Sequence, residues 1–219
     1  SRILEEVRLR GFGVDCVSGG EIKAAIDAGF KGSNIMFAGV GKTDKEIEFA
    51  LETGICCFNV ESLPELENIN SIAAHKNKIA RVAVRINPNI DAHTHHYITT
   101  GLNENKFGIN LELVNDFVAK ALSMSNIDLC GIHCHIGSQI RETAPFEMLC
   151  ERVQEIIAQV ERAGAQISII DVGGGLGINY DDPDGEPIPD FAGYFDIFRK
   201  KLPLRADQKL HFEPGRSVV

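Results

Sequence analysis

Short apolar or β-branched runs alternate along the chain with longer stretches in which apolar residues recur every three or four positions. The runs at 14–17, 35–37, 56–60, 81–86, 129–134, 167–172 and 210–213 read as seven strands, being short and bounded by turn-forming residues. An opening helical segment is predicted at 3–10, and further helices at about 21–28, 43–53, 62–76, 111–124, 143–163 and 190–201. In the segment 143–163, Phe146, Leu149, Val153, Ile156, Ile157 and Val160 make one apolar stripe suited to lie on a sheet. Capping boxes follow the first three strands at Ser18-Gly-Gly-Glu21, Thr43-Asp-Lys-Glu46 and Ser62-Leu-Pro-Glu65, where the hydroxyl takes an orphan backbone N–H and the glutamate reaches back to the cap.

Strand, cap, helix and return to a strand is the order of a parallel α/β sheet, and an open doubly wound sheet and a closed barrel both satisfy it. The chain starts on a helix and ends on a strand, which favours an eight-stranded (β/α)8 barrel whose first strand is absent. Its 219 residues are somewhat short of the roughly 250 of such a barrel. One domain spanning 1–219 is expected, and a barrel lacking a strand would expose two unpaired edges.

Composition narrows the partners. The chain holds 22 Lys and Arg against 31 Asp and Glu, a net charge of −9 without a basic block, which argues against nucleic acid or an anionic membrane surface. No apolar run approaches the roughly 18 residues of a membrane span. Residues 1–11 are too charged for a signal peptide, so a cytoplasmic setting is expected; six cysteines lack CxxC spacing and five sit in apolar surroundings, which suits buried free thiols rather than disulfides or a zinc knuckle.

Barrel chemistry sits at the C-terminal ends of strands. Asp171-Val-Gly-Gly-Gly-Leu-Gly177 follows the sixth run, and its successive N–H groups could form a nest for phosphate. GxGxxG is not satisfied there, and Gly41-Lys42-Thr43 lacks the first glycine of a P-loop. Glu213-Pro-Gly-Arg216 ends the last run, so an arginine would lie beside the glycine run where barrels commonly hold phosphate. His133 and His135 share a face two residues apart and could bind a metal, pack as core histidines, or, for His135, lie flat on an aromatic cofactor with Ser138 near its phosphate. His93, His95 and His96, with Tyr97 to Gly101 and Lys106, read as a solvated loop.

Taken in order, Asp15-Cys-Val-Ser-Gly-Gly-Glu21, Asn59-Val-Glu-Ser62, Arg85-Ile-Asn-Pro88, the His95 to Gly101 segment, Lys106-Phe-Gly108, His133-Cys-His-Ile-Gly-Ser-Gln139, Asp171-Val-Gly-Gly-Gly175 and Glu213-Pro-Gly-Arg216 resemble the diaminopimelate decarboxylases, the His95 to Gly101 segment and Gln139 favouring this branch over the ornithine and arginine decarboxylases. These are a branch of the alanine-racemase-like, fold-type III pyridoxal phosphate decarboxylases, and the resemblance runs over essentially the whole chain. It implies an alanine-racemase-type barrel that removes a carboxylate from meso-diaminopimelate to give L-lysine, with pyridoxal 5'-phosphate as cofactor and a homodimer as the assembly. It implies that His135 stacks on the pyridine ring and that Glu213 pairs with its nitrogen, while Ser138, Gly173, Gly174, Gly175, Gly215 and Arg216 hold the phosphate. Arg216 would also reach a substrate carboxylate, and Asp15 and Arg85 would support the cofactor. The family's cofactor-bearing lysine, in a Lys-Ala-Asn motif, and its C-terminal β-domain are expected beyond the two ends, so these 219 residues alone are expected to be inactive. A decarboxylase of another basic amino acid, a non-catalytic barrel homologue and a metal-dependent hydrolase are the alternatives.

Overall fold

The computed structural model describes residues 2–90, 107–185 and 188–218. Helix α1 (Arg2–Leu9) precedes β1 (Val14–Cys16), α2 (Gly19–Asp27), β2 (Ile35–Phe37), α3 (Asp44–Thr53), β3 (Cys57–Val60), α4 (Leu63–His75) and β4 (Ala80–Arg85). The chain continues through α5 (Val114–Leu122), β5 (Ile127–His133), α6 (Ala144–Arg162), β6 (Ile169–Asp171), α7 (Phe191–Lys201) and β7 (Lys209–His211). The seven strands form one sheet in chain order, every neighbouring pair parallel, so the seven runs and the parallel α/β order are borne out. The architecture is a (β/α)8-type barrel lacking one strand, with β1 and β7 as its edges among the described residues.

Boundaries differ where side chains and backbone compete. Leu111–Leu113 is a 3-10 turn leading into α5 rather than part of it. Only Thr43 makes the complete capping box; at Ser18 and Ser62 the hydroxyl caps as expected, but Glu21 and Glu65 accept from Val17 N and Glu61 N, one residue before the cap. All six cysteines are free and five are buried.

The main apolar core lies between strands and helices, with Ile22, Ile47, Leu66, Ile69, Leu149 and Val153 from the helices meeting outward strand residues such as Phe37, Phe58 and Val84. A smaller cluster takes one residue from each of β2 to β6, namely Met36, Cys57, Ala83, Cys130 and Ile169, and fills the concave face. Strand alternation alone would turn His133 outward, because Leu129 faces the outer core. A bulge intervenes: Val82 pairs with Leu129 but Ala83 pairs with Gly131, leaving Cys130 as an extra residue. Ile132 then faces outward and His133 turns into the lumen.

Leu149, completely buried on α6, makes a direct test of the outer core. Leu149→Ala is expected to cost about 2–5 kcal/mol in urea unfolding.

Candidate functional site at the C-terminal end of the barrel

The strand register carries a row of polar side chains to one place. Arg85 pairs in register with His133, His133 with Asp171, and Asp171 with His211. The ladder runs on past the strands, Cys134 N donating to Asp171 O at 2.8 Å and Glu213 N to Gly173 O at 2.8 Å. His133, Asp171 and Glu213 therefore converge, with one donor atom from each lying within 4.8 Å of the others.

Within this cluster His133 is 2% exposed and Asp171 1%. His133 Nε2 lies 3.5 Å from Glu213 Oε2, an ionic contact too long for a good hydrogen bond. Burial pulls the His133 imidazole down, but Glu213 and Asp171 outweigh it and the net shift is upward. Burial and the Glu213 charge push Asp171 up to about 7, although its Oδ1 accepts from Gly173 N at 2.9 Å. Burial raises Glu213, yet the neighbouring histidines, His133 foremost, bring it below its ordinary value. The two carboxylates are thus driven apart, Asp171 toward the neutral acid and Glu213 toward the anion.

His135 is not part of that cluster. Burial, and then the charge of His133, lower its pKa, so the ring is neutral; its Nδ1 accepts from Gly174 N at 3.4 Å, which places the proton on Nε2. Asp15, on β1, is exposed at the sheet edge but faces the same lumen. Its carboxyl is pushed up by desolvation and then by Glu213 and Asp171, and the solvent reaching it moderates the push. Arg85 Nη1 donates to Glu61 Oε1 at 3.0 Å, and its guanidinium lies over Phe107. Lys42 Nζ is held by Gly39 O, Asn59 O and Glu65 Oε1, so all its donors are engaged in the fold.

The glycine run meets the last segment beside this cluster. Gly173 and Gly175 have φ of +67° and +108°, conformations that glycine adopts without strain. A Cβ on Gly174 would collide with the Glu213 carbonyl, whereas the space around Gly215 is open. Arg216 Nε donates to Ser138 Oγ at 3.3 Å, and Nη1 donates to Tyr180 Oη. From α7, the buried Tyr194 packs edge-on against Phe146 at 4.9 Å and approaches Gly174 O through its hydroxyl at 3.5 Å. Ser138 and Arg216 thus meet through a hydrogen bond, and the Gly173–Gly175 run packs against the backbone of Gly137 and Glu213, one strand end from each side.

Asn59, Glu61 and Asp171 stand in the quoted motifs without a role assigned, and the structure brings them into the lumen. For Asn59 and Glu61 the signal was a polar residue at every second place in an otherwise apolar run; for Asp171 it was a lone acid closing one. His93, His95, His96, Tyr97 to Gly101 and Lys106 lie outside the described residues.

Several buried polar atoms at this end have no hydrogen-bond partner: both amide atoms of Asn59, Glu61 Oε2, both His133 nitrogens, Glu213 Oε1 and Ser217 Oγ. Unsatisfied buried groups are costly and rarely gather by chance. Those of His133 and Glu213 lie beside the glycine backbone with Arg216 near its rim, which fits a ligand with a phosphate at one end and a ring nitrogen at the other.

Fold and site together define a barrel built for a phosphorylated aromatic cofactor. The chain belongs to the family described as pyridoxal-dependent decarboxylase, pyridoxal binding domain, whose model matches residues 1–219. It is 53% identical over 218 residues to a diaminopimelate decarboxylase of Bacteroides thetaiotaomicron, covering 100% of this chain and 56% of that protein. It is 42% identical to one of Neisseria meningitidis, covering 99% and 52%. The crystal structure of diaminopimelate decarboxylase from Helicobacter pylori complexed with L-lysine superposes with a TM-score of 0.86 at 38% identity, covering 100% of this chain and 54% of that one. The chain spans about half the length of these relatives. Among the described residues no helix is long and apolar enough to cross a membrane.

Asp171 gives the site a pH signature. Unfolded, it ionises near 3.8; folded, near 7. Its stabilising contribution is full below the unfolded value and is lost as pH rises through the folded one. Urea unfolding is expected to show Asp171→Asn gaining stability relative to the wild type between about pH 4 and about pH 8.

Proposed function

We propose that the chain is the cofactor-binding barrel of a pyridoxal phosphate-dependent decarboxylase that converts meso-diaminopimelate to L-lysine and carbon dioxide. The observation that carries this is the meeting of the Gly173–Gly175 backbone, Ser138 and Arg216 beside the free Oε1 of Glu213 and the flat ring of His135. The choice of substrate rests on the names of the relatives and on the L-lysine in the Helicobacter pylori structure.

In this reading Ser138, Gly173, Gly174, Gly175, Gly215 and Arg216 hold the phosphate. Arg216 supplies charge-assisted bonds that the neutral donors cannot. The unpartnered Glu213 Oε1 would hold the ring nitrogen, and the neutral His135 would shield the ring from water. Arg85, tied to Glu61, and Asp15 support the lumen wall around the ring. Pyridoxal phosphate held by these residues would supply an electron sink for decarboxylation. Arg216 also lies at the exposed rim, placed to meet a substrate carboxylate. A homodimer belongs to this reading through the family resemblance, and six free thiols support a reducing, cytoplasmic setting.

The full-length protein loaded with pyridoxal phosphate is expected to release one carbon dioxide per L-lysine formed from meso-diaminopimelate. Release from arginine or ornithine instead, or from none of the three, would count against the proposal. Arg216→Ala is expected to weaken cofactor affinity by roughly 10- to 100-fold in equilibrium titration, the loss of a charge-assisted hydrogen bond.

A further inference from the structure

Glu213 can hold a protonated ring nitrogen only as a carboxylate, and its surroundings work against that. It is largely buried, and Asp171, itself 1% exposed, lies beside it, so the two carboxyls compete for one proton. Adjacent buried carboxylates share a proton unless a cation is at hand. The cation in contact with Glu213 is His133, 2% exposed, whose Nε2 is 3.5 Å from Glu213 Oε2. The Cys130 bulge is what turns this ring into the lumen, and neither of its nitrogens has another hydrogen-bond partner. Oε2 is thus engaged while Oε1 is left free on the same carboxylate.

We propose that His133 is a positioning residue: as an imidazolium against Oε2 it keeps Glu213 ionised, so that Oε1 can hold the cofactor's ring nitrogen protonated. This rests on the pyridoxal phosphate reading above. The other groups facing the cluster are Asp171 on β6, Asp15 on β1, Arg85 on β4, His135 after β5, His211 on β7 and Tyr194 on α7, with Lys42 acting on Asp15 from the loop after β2. Arg85 is committed to Glu61, and burial lowers both His135 and His211, so none of the three replaces His133 at Glu213. Without His133 the two carboxyls share a proton, Glu213 becomes the neutral acid for part of the time, and the ring nitrogen loses its counter-ion. With Asn at 171 as well, the competing carboxyl is gone and the negative charge stays on Glu213.

The test uses the full-length protein loaded with pyridoxal 5'-phosphate labelled with 15N in the ring, read by the nitrogen's chemical shift against pH. In the wild type the bound nitrogen is expected to remain protonated through neutral pH. In His133→Gln the deprotonation midpoint is expected to fall by at least about one pH unit, tenfold in the equilibrium. Asp171→Asn in that background is expected to restore it, which a merely structural histidine would not allow. A protonated wild-type nitrogen with an unchanged midpoint in His133→Gln overturns the role of His133 and leaves the cofactor proposal standing. A wild type with no bound signal overturns both. Should His133→Gln fail to fold, the wild-type His133 ring decides by its own 15N spectrum without cofactor: an imidazolium at neutral pH supports the assignment, and a neutral ring overturns it.

Discussion

Two carboxylates and one imidazole, Asp171, Glu213 and His133, are buried together where β5, β6 and the segment after β7 converge. A charge taken out of water is tolerated only with a partner, so these three positions hold one another's ionisation and the surrounding elements have to hold their geometry. The parallel register fixes which strand ends meet, and the extra residue at Cys130 decides that a histidine rather than an isoleucine faces inward. Beyond the strands, Glu213 is tied to Gly173 by a backbone hydrogen bond, so the acid and the glycine run move as one piece.

The lumen is divided along its axis. Its floor is small and apolar, with Met36, Cys57, Ala83, Cys130 and Ile169 packed against one another, and its mouth is polar with atoms left unpaired. Floor and outer core supply the stability; the mouth draws on it. Tyr194 links the two, because it is anchored among Phe146, Phe198 and Phe212 and approaches the glycine run with its hydroxyl. A backbone cradle braced in this way can present N–H groups to an anion without first having to be ordered.

Much of this was legible in the sequence for identifiable reasons. The seven apolar runs were bounded by turn residues, and the α6 stripe from Phe146 to Val160 had room for only one buried face. The neighbourhood of Ser138, the glycine run and Arg216 followed from placing both segments after late strands of a barrel. What stayed hidden depended on register. Nothing in the one-dimensional pattern marks the Cys130 bulge, so the partnership of His133 with Glu213 and Asp171 could not be read from spacing. The second half of the capping boxes at Ser18 and Ser62 likewise turned on a one-residue offset that side-chain reach decides. Asn59 and Glu61 needed the barrel's curvature before their polarity had a direction.

The most direct measurement of the central claim is a crystal structure of the full-length protein with pyridoxal phosphate bound. The phosphate is expected on the Gly173–Gly175 backbone, Gly215 and Arg216, the ring against His135, and the ring nitrogen on Glu213 Oε1 with His133 still on Oε2. A cofactor seated elsewhere, with Arg216 still bound to Ser138 and Glu213 Oε1 still without a partner, would contradict it.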